Sequence, residues 1–156
     1  MERLELRVPP PVVFVLAAGL IVGVTIIVPG AAVPFPGDRL VAIALVVLGG
    51  AVALPGLAAF RRARTTVHPT TPWRTTVLVT SGVYRITRNP MYLGLAIVLT
   101  GIAAWRASVP GLIVVVLFCA YITRFQIVPE ERALSERFGD EFTAYTARVH
   151  RWLGRA

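Results

Sequence analysis

The chain has 156 residues, of which 56% are apolar and only 15% charged. A soluble domain carries about 25% charged residues, so the composition excludes an ordinary water-soluble globule and describes an integral membrane protein of one domain, residues 1–156. The formal charge of +8 comes entirely from arginine on the basic side; these arginines flank apolar runs, which argues for membrane topology and against nucleic acid as a partner.

Met1 to Val8 is a short mixed-charge head, cut off by Pro9-Pro10-Pro11. The first apolar span, about 12–28, carries no charge. It is read as a retained helix and not a signal peptide, because the run is long and no small-residue cleavage site follows it. Pro29 to Arg39 is a turn. The second span, about 40–60, contains Gly49-Gly50 for close packing and Pro55-Gly56 for a kink. A connector over 61–89 follows, with six arginines and no acid from Arg61 to Arg88. Such an excess predicts the cytoplasmic side.

The third span, about 90–105, and the fourth, about 110–124, are separated only by Arg106-Ala107-Ser108-Val109-Pro110. Ser108 is placed to cap the fourth helix, with Pro110 in its first turn. The expected fold is therefore all-α: four transmembrane helices with both termini on the cytoplasmic side. A C-terminal amphipathic helix is expected over 129–152, from Leu134, Phe138, Phe142, Tyr145, Val149 and Trp152 at spacings of three or four. In that helix Glu130 and Glu131 sit in the first turn and Arg148 and Arg151 near the end, as a helix dipole favours.

The polar stretch 78–94 is where chemistry is sought. Pro90 starts a helix and biases Asn89 away from helical geometry. Arg88 is thereby held at a helix N-terminus beside free N–H groups, a setting that suits an anion such as a carboxylate. Tyr92 lies one turn in, and Gly94 leaves room for close approach. The bland alternative is an Asn-Pro turn with interfacial anchors. Glu130-Glu131 follow the fourth span on the same side of the membrane as Arg88. An acid pair facing a cationic loop fits a ligand with both charge signs. His68 and His150 stand without companions at metal spacing, so no metal site is expected. Cys119, inside an apolar run, reads as core.

Taken together, Leu78-Val79-Thr80-Ser81-Gly82-Val83-Tyr84-Arg85, Arg88-Asn89-Pro90-Met91-Tyr92-Leu93-Gly94, Pro129-Glu130-Glu131 and Phe138-Gly139-x-x-Phe142-x-x-Tyr145 resemble the isoprenylcysteine carboxyl methyltransferase and phospholipid methyltransferase superfamily over roughly residues 40–152. The resemblance implies a helical membrane enzyme using S-adenosylmethionine, in a bacterial inner membrane, with its site on the cytoplasmic face. Carried over residue by residue, it nominates Leu78, Val79, Tyr84, Arg88, Asn89, Pro90, Met91, Tyr92, Glu130 and Glu131 for the cofactor, with Arg88 and Glu131 as the catalytic pair. Arg124, at the end of the fourth span, is nominated for the substrate. Asn89 stands where many relatives have His, and Thr76 where prenyl-cysteine enzymes tend to have another. Cofactor binding tolerates the first change, since Asn still donates a hydrogen bond, but a prenylated-protein acceptor is put in doubt. The implied acceptor is a hydrophobic small molecule or lipid bearing a carboxylate, thiol or amine. Two alternatives compete: an NADPH-dependent reductase of the sterol-reductase type, and a non-enzymatic scaffold binding anionic lipid through the arginine-rich connector.

Overall fold

The computed structural model describes residues 5–62 and 77–154. The middle of the connector, with Arg64, His68 and Thr76, lies outside the described residues. Six helices account for most of the remainder: α1 (Pro10–Ile27), α2 (Asp38–Arg62), α3 (Pro90–Trp105), α4 (Val109–Ile122), α5 (Val128–Phe138) and α6 (Asp140–Thr146). No strand occurs among the described residues. A lone bridge between Ala32 and Ser108, with Val33 N–H donating to the Ala107 carbonyl at 2.8 Å, ties the α1–α2 connection to the α3–α4 turn.

Among the described residues, three helical segments are long and apolar enough to cross a bilayer: α1, α2 and the continuous helix from Val109 to Phe138. α3 is apolar but has 16 residues, about 24 Å at 1.5 Å per residue, against a hydrocarbon core of about 30 Å. Large apolar side chains such as Leu16, Leu40, Val47 and Val116 are exposed around the outside. That arrangement costs free energy in water and suits a lipid surround.

The core lies between α1, α3 and α4, where Ile21, Leu99 and Ile122 are fully buried. α2 joins by backbone proximity more than by large side chains. A Cβ on Gly94 would meet the Gly49 carbonyl oxygen at 2.5 Å and Ala53 Cβ at 2.6 Å; one on Gly49 would meet the Gly94 oxygen at 2.6 Å. Only glycine at these facing positions lets α2 and α3 approach so closely. Cys119 is half-buried and packs against this core. The α3–α4 turn forms as the sequence predicts: Ser108 Oγ accepts from Gly111 N–H at 3.0 Å, with proline in the first turn of α4.

The C-terminal region differs from expectation twice. First, Pro129 starts no new helix. α4 runs through a π-helical stretch, Thr123–Ile127, straight into α5. Proline removes the N–H that would pair with the carbonyl four residues back and crowds it. Here Val128 N–H reaches the Thr123 oxygen five residues back, and the Phe125 oxygen accepts from Leu6 N–H at 3.0 Å instead. Glu130 and Glu131 therefore sit inside a continuous helix, and no free helix N-terminus neutralises them. Second, the single helix expected over 129–152 is broken at Gly139, whose φ of +49° is a conformation that other residues rarely adopt. α6 ends at Thr146, and residues 147–154 turn back toward the loop preceding α3. The apolar periodicity still marks buried positions. Phe142, Tyr145 and Val149 are buried with Tyr84, and Leu134 and Phe138 pack at the edge. Trp152 joins the main core.

Candidate active site

The polar cluster forms where three stretches meet: the loop before α3, the first two turns of α5, and the tail after α6. Gly82–Arg85 make a short 3₁₀ turn that places Tyr84 under the tail. The Tyr84 ring meets Phe60 of α2 edge-on at 5.5 Å between centroids. Its carbonyl accepts a 2.8 Å hydrogen bond from the Tyr145 hydroxyl. Leu78 and Val79 are half-buried against the same group. The tail and the loop are then laced together: Arg88 N–H donates to the His150 carbonyl at 3.2 Å, Gly154 N–H to the Ile86 carbonyl at 2.9 Å, and Asn89 Nδ2 to the Arg151 carbonyl at 2.9 Å. Asn89 precedes Pro90 in a non-helical conformation, φ −130° and ψ 57°. Its side-chain amide thus anchors the tail, a job for which it needs only a donor.

The charges divide in an ordered way. Glu131 is held by two arginines. Arg88 Nη1 lies 3.3 Å from its Oε1, and Arg151 is forked onto it, with Nη2–Oε2 at 2.6 Å and Nε within 3.2 Å of both oxygens. Glu130, one residue earlier, points elsewhere: the Tyr92 hydroxyl donates to its Oε1 at 2.5 Å. Glu130 lies past Arg124, beyond the apolar run. Burial pushes its carboxyl up to about 8; the neighbouring charge of Glu131 also raises it, and the Tyr92 hydrogen bond opposes. Burial likewise raises the phenols of Tyr84 and Tyr145, so both stay protonated donors; the Glu130 charge adds to the first shift and the Arg88 charge opposes the second. Within this cluster, two buried polar atoms have no hydrogen-bond partner among the described residues: Arg88 Nε and the Tyr84 hydroxyl.

The loop and the acid pair are thus brought together: Tyr84, Arg88, Asn89, Tyr92, Glu130 and Glu131 share one cluster, with Pro90 and Met91 at the helix start above it. Arg124 has other partners. It donates to Glu5 at 2.7 Å and lies over the Phe125 ring, clasping the N-terminal segment to the π-helical stretch. Arg151 was not among the residues nominated from the sequence, where it read as a basic residue at a helix end. Its role needs the return of the tail, which Gly139 and the end of α6 make possible. No group of three His, Cys, Asp or Glu able to hold a metal occurs among the described residues.

Comparison with known proteins gives this geometry a context. The model of the phospholipid methyltransferase family matches residues 38–141, two thirds of the chain, from the start of α2 into α6. The chain belongs to that family. It is thereby a membrane methyltransferase, and the nominated residues up to Glu131 fall inside the matched region. Arg151 lies beyond it. A protein of Haemophilus influenzae (strain ATCC 51907 / DSM 11121 / KW20 / Rd), described only as uncharacterized, is 38% identical over 63 residues, 40% of this chain and all of that protein. No solved structure matches the chain.

Proposed function

We propose that this methyltransferase uses S-adenosylmethionine and acts on a hydrophobic or lipid-like acceptor. The observation that carries the reading is the buried, unpartnered Nε of Arg88 at the start of α3. Arg88, Arg151 and Glu131 together leave one positive charge in surplus, and Pro90 leaves the next N–H groups of α3 without helical partners. That is a receptor for a carboxylate. Glu130, partly buried and hydrogen-bonded among the described residues only to the Tyr92 hydroxyl, is the acid available to an ammonium or to ribose hydroxyls, because Glu131 is engaged by two guanidinium groups. The free Tyr84 hydroxyl offers a further donor. A zwitterionic amino-acid moiety fits this donor and acceptor set, so the residues present suit the cofactor.

When bound, the cofactor supplies a methyl group already activated by its sulfonium. The protein's work is to bind, orient and exclude water. Arg88 and the start of α3 fix the amino-acid end, and Tyr84 and Tyr92 wall the pocket. Leu78, Val79 and Met91 provide its apolar edge. A thiolate or carboxylate acceptor needs no general base, so positioning and desolvation suffice. Arg88 and Glu131 act here as binding and positioning groups.

In the topology that supports this reading, α3 is a fourth crossing. The arginines at the end of α2 and in the connector support a cytoplasmic side for the cluster, and the membrane in this reading is a bacterial inner membrane. Arg88 and Arg106 flank the 16-residue helix at its two ends, and local thinning of the bilayer lets a helix of that length span. The acceptor would enter sideways from the bilayer. The test is competitive equilibrium binding of S-adenosylhomocysteine and NADPH to the purified protein in lipid nanodiscs. Saturable binding of the first, displaced by S-adenosylmethionine and not by NADPH, supports the proposal; the reverse selectivity replaces it with a reductase.

A further inference from the structure

At the opposite end of α3 a second site presents itself. Arg106 follows the last residue of α3, about 24 Å from Pro90 along the helix axis. Its Nε is buried and has no acceptor among the described residues. Beside it a cavity of about 490 Å³ opens between α1, α2 and α3, with walls that include Ala42, Val46, Val47, Gly101 and Trp105. The floor exists because small residues face each other there: a Cβ on Gly101 would meet the Ala42 carbonyl oxygen at 3.0 Å. Trp105 stands at the mouth, and the Arg39 guanidinium lies over its ring, 5.8 Å from the centroid. The nearby acid is Asp38, whose Oδ1 accepts from Arg39 N–H. Asp38, Arg39 and Arg106 thus leave one positive charge in surplus.

We propose that this groove is a binding site for one acidic glycerophospholipid in the leaflet opposite the Arg88 cluster. An acyl chain fills the apolar cavity, and the phosphodiester takes the Arg106 Nε–H and the charge of Arg39. Several observations converge on that ligand. The walls are almost wholly apolar and face the bilayer, so a chain is the natural occupant. The cationic groups sit at the end of the groove where a headgroup would lie. Their surplus of one charge matches a lipid of net charge −1 and is not needed by a zwitterion, which brings its own cation. A buried guanidinium N–H without an acceptor is costly, and a phosphate oxygen removes that cost. The site is remote from the methyl-transfer cluster and does not depend on its assignment.

The probe is Trp105 itself. Trp73 and Trp152 are replaced by Phe, and the protein is placed in nanodiscs of phosphatidylcholine. Brominated phosphatidylglycerol or brominated phosphatidylcholine is then added at matched mole fractions, and quenching of Trp105 is read. The acidic lipid is expected to half-quench at a mole fraction lower by about fivefold, the factor one well-placed basic residue supplies. R106Q should bring the two curves together. V46F, which fills the groove and keeps both arginines, should do the same. Coincident curves in the parent protein would overturn the proposal, leaving ordinary boundary lipid. So would discrimination that survives in R106Q or in V46F. Loss of discrimination on adding millimolar glycerol 3-phosphate would assign the site to a soluble phosphate and equally overturn it.

Discussion

Replacing Glu131 by Gln removes the one anion that holds both Arg88 and Arg151. The cost can be worked from the geometry. The forked Arg151 contact is a strong arrangement, yet the Arg151 side chain is 37% exposed, so solvent screening reduces it to about 1 kcal/mol. The Arg88 contact is an ion pair at 3.3 Å whose partners are only 14% and 16% exposed, and leaving so buried a guanidinium without its counter-charge costs about 1–3 kcal/mol. The amide retains some hydrogen bonding, so the net loss is about 2–3 kcal/mol. For a chain of this size that lowers the unfolding midpoint by about 5–10 °C. The assay is thermal unfolding in detergent, followed by circular dichroism. A double-mutant cycle with R151Q isolates the pair: R151Q should cost about 1 kcal/mol alone and little on top of E131Q. A shift of under about 1 °C in E131Q would refute the idea that Glu131 pins the tail to the α3 loop.

Glu130 makes a prediction about pH. Its carboxyl is held at about 8 in the fold, above the ordinary range near 4. The fold therefore favours its protonated form. The associated stability is fully present below the unfolded value and is lost as pH rises through about 8. E130Q should flatten the fall in midpoint between pH 5 and pH 9 while abolishing cofactor binding, both read by thermal shift with and without S-adenosylhomocysteine. A parallel fall in E130Q and parent would contradict the assignment. If Glu130 ionises to meet the ligand's ammonium, binding at pH 7 should release close to one proton, measured by calorimetry in buffers of different ionisation enthalpy. Gly94→Ala should cost about 1–3 kcal/mol, because its Cβ would press on the Gly49 oxygen at 2.5 Å and drive α2 from α3; an unchanged midpoint would show that the helices do not pack there.

The apolar runs located α1 to α4 within a few residues, because spans without charges have sharp ends at Pro, Gly and Arg. The loop at Tyr84, Arg88 and Tyr92 was also legible, since Asn89-Pro90 fixes a helix start whatever surrounds it. The tail was harder. Spacings of three and four identified Phe142, Tyr145 and Val149 as buried, but periodicity continues across a glycine break when both pieces face the same core. Gly139 was the available signal for the break. The π-helical passage over Pro129 depends on the N-terminal segment supplying Leu6 N–H to Phe125, a contact across more than a hundred residues that no local pattern announces. Arg151 escaped notice for the same reason: its fork onto Glu131 exists only once the tail has folded back. Arg124, nominated for substrate, finds Glu5 in the structure, again a long-range pairing.

The central claim rests on Arg88, and calorimetric titration of S-adenosylmethionine into the detergent-purified protein tests it most directly, with Arg88→Ala and Arg61→Ala run alongside. The account predicts saturable binding in the parent and in Arg61→Ala, whose arginine stands exposed in the last turn of α2. It predicts a loss of at least about tenfold in affinity in Arg88→Ala, the equivalent of about 1.4 kcal/mol, while the circular dichroism spectrum stays helical. Equal affinity in all three proteins, or no binding by the folded parent, would contradict it.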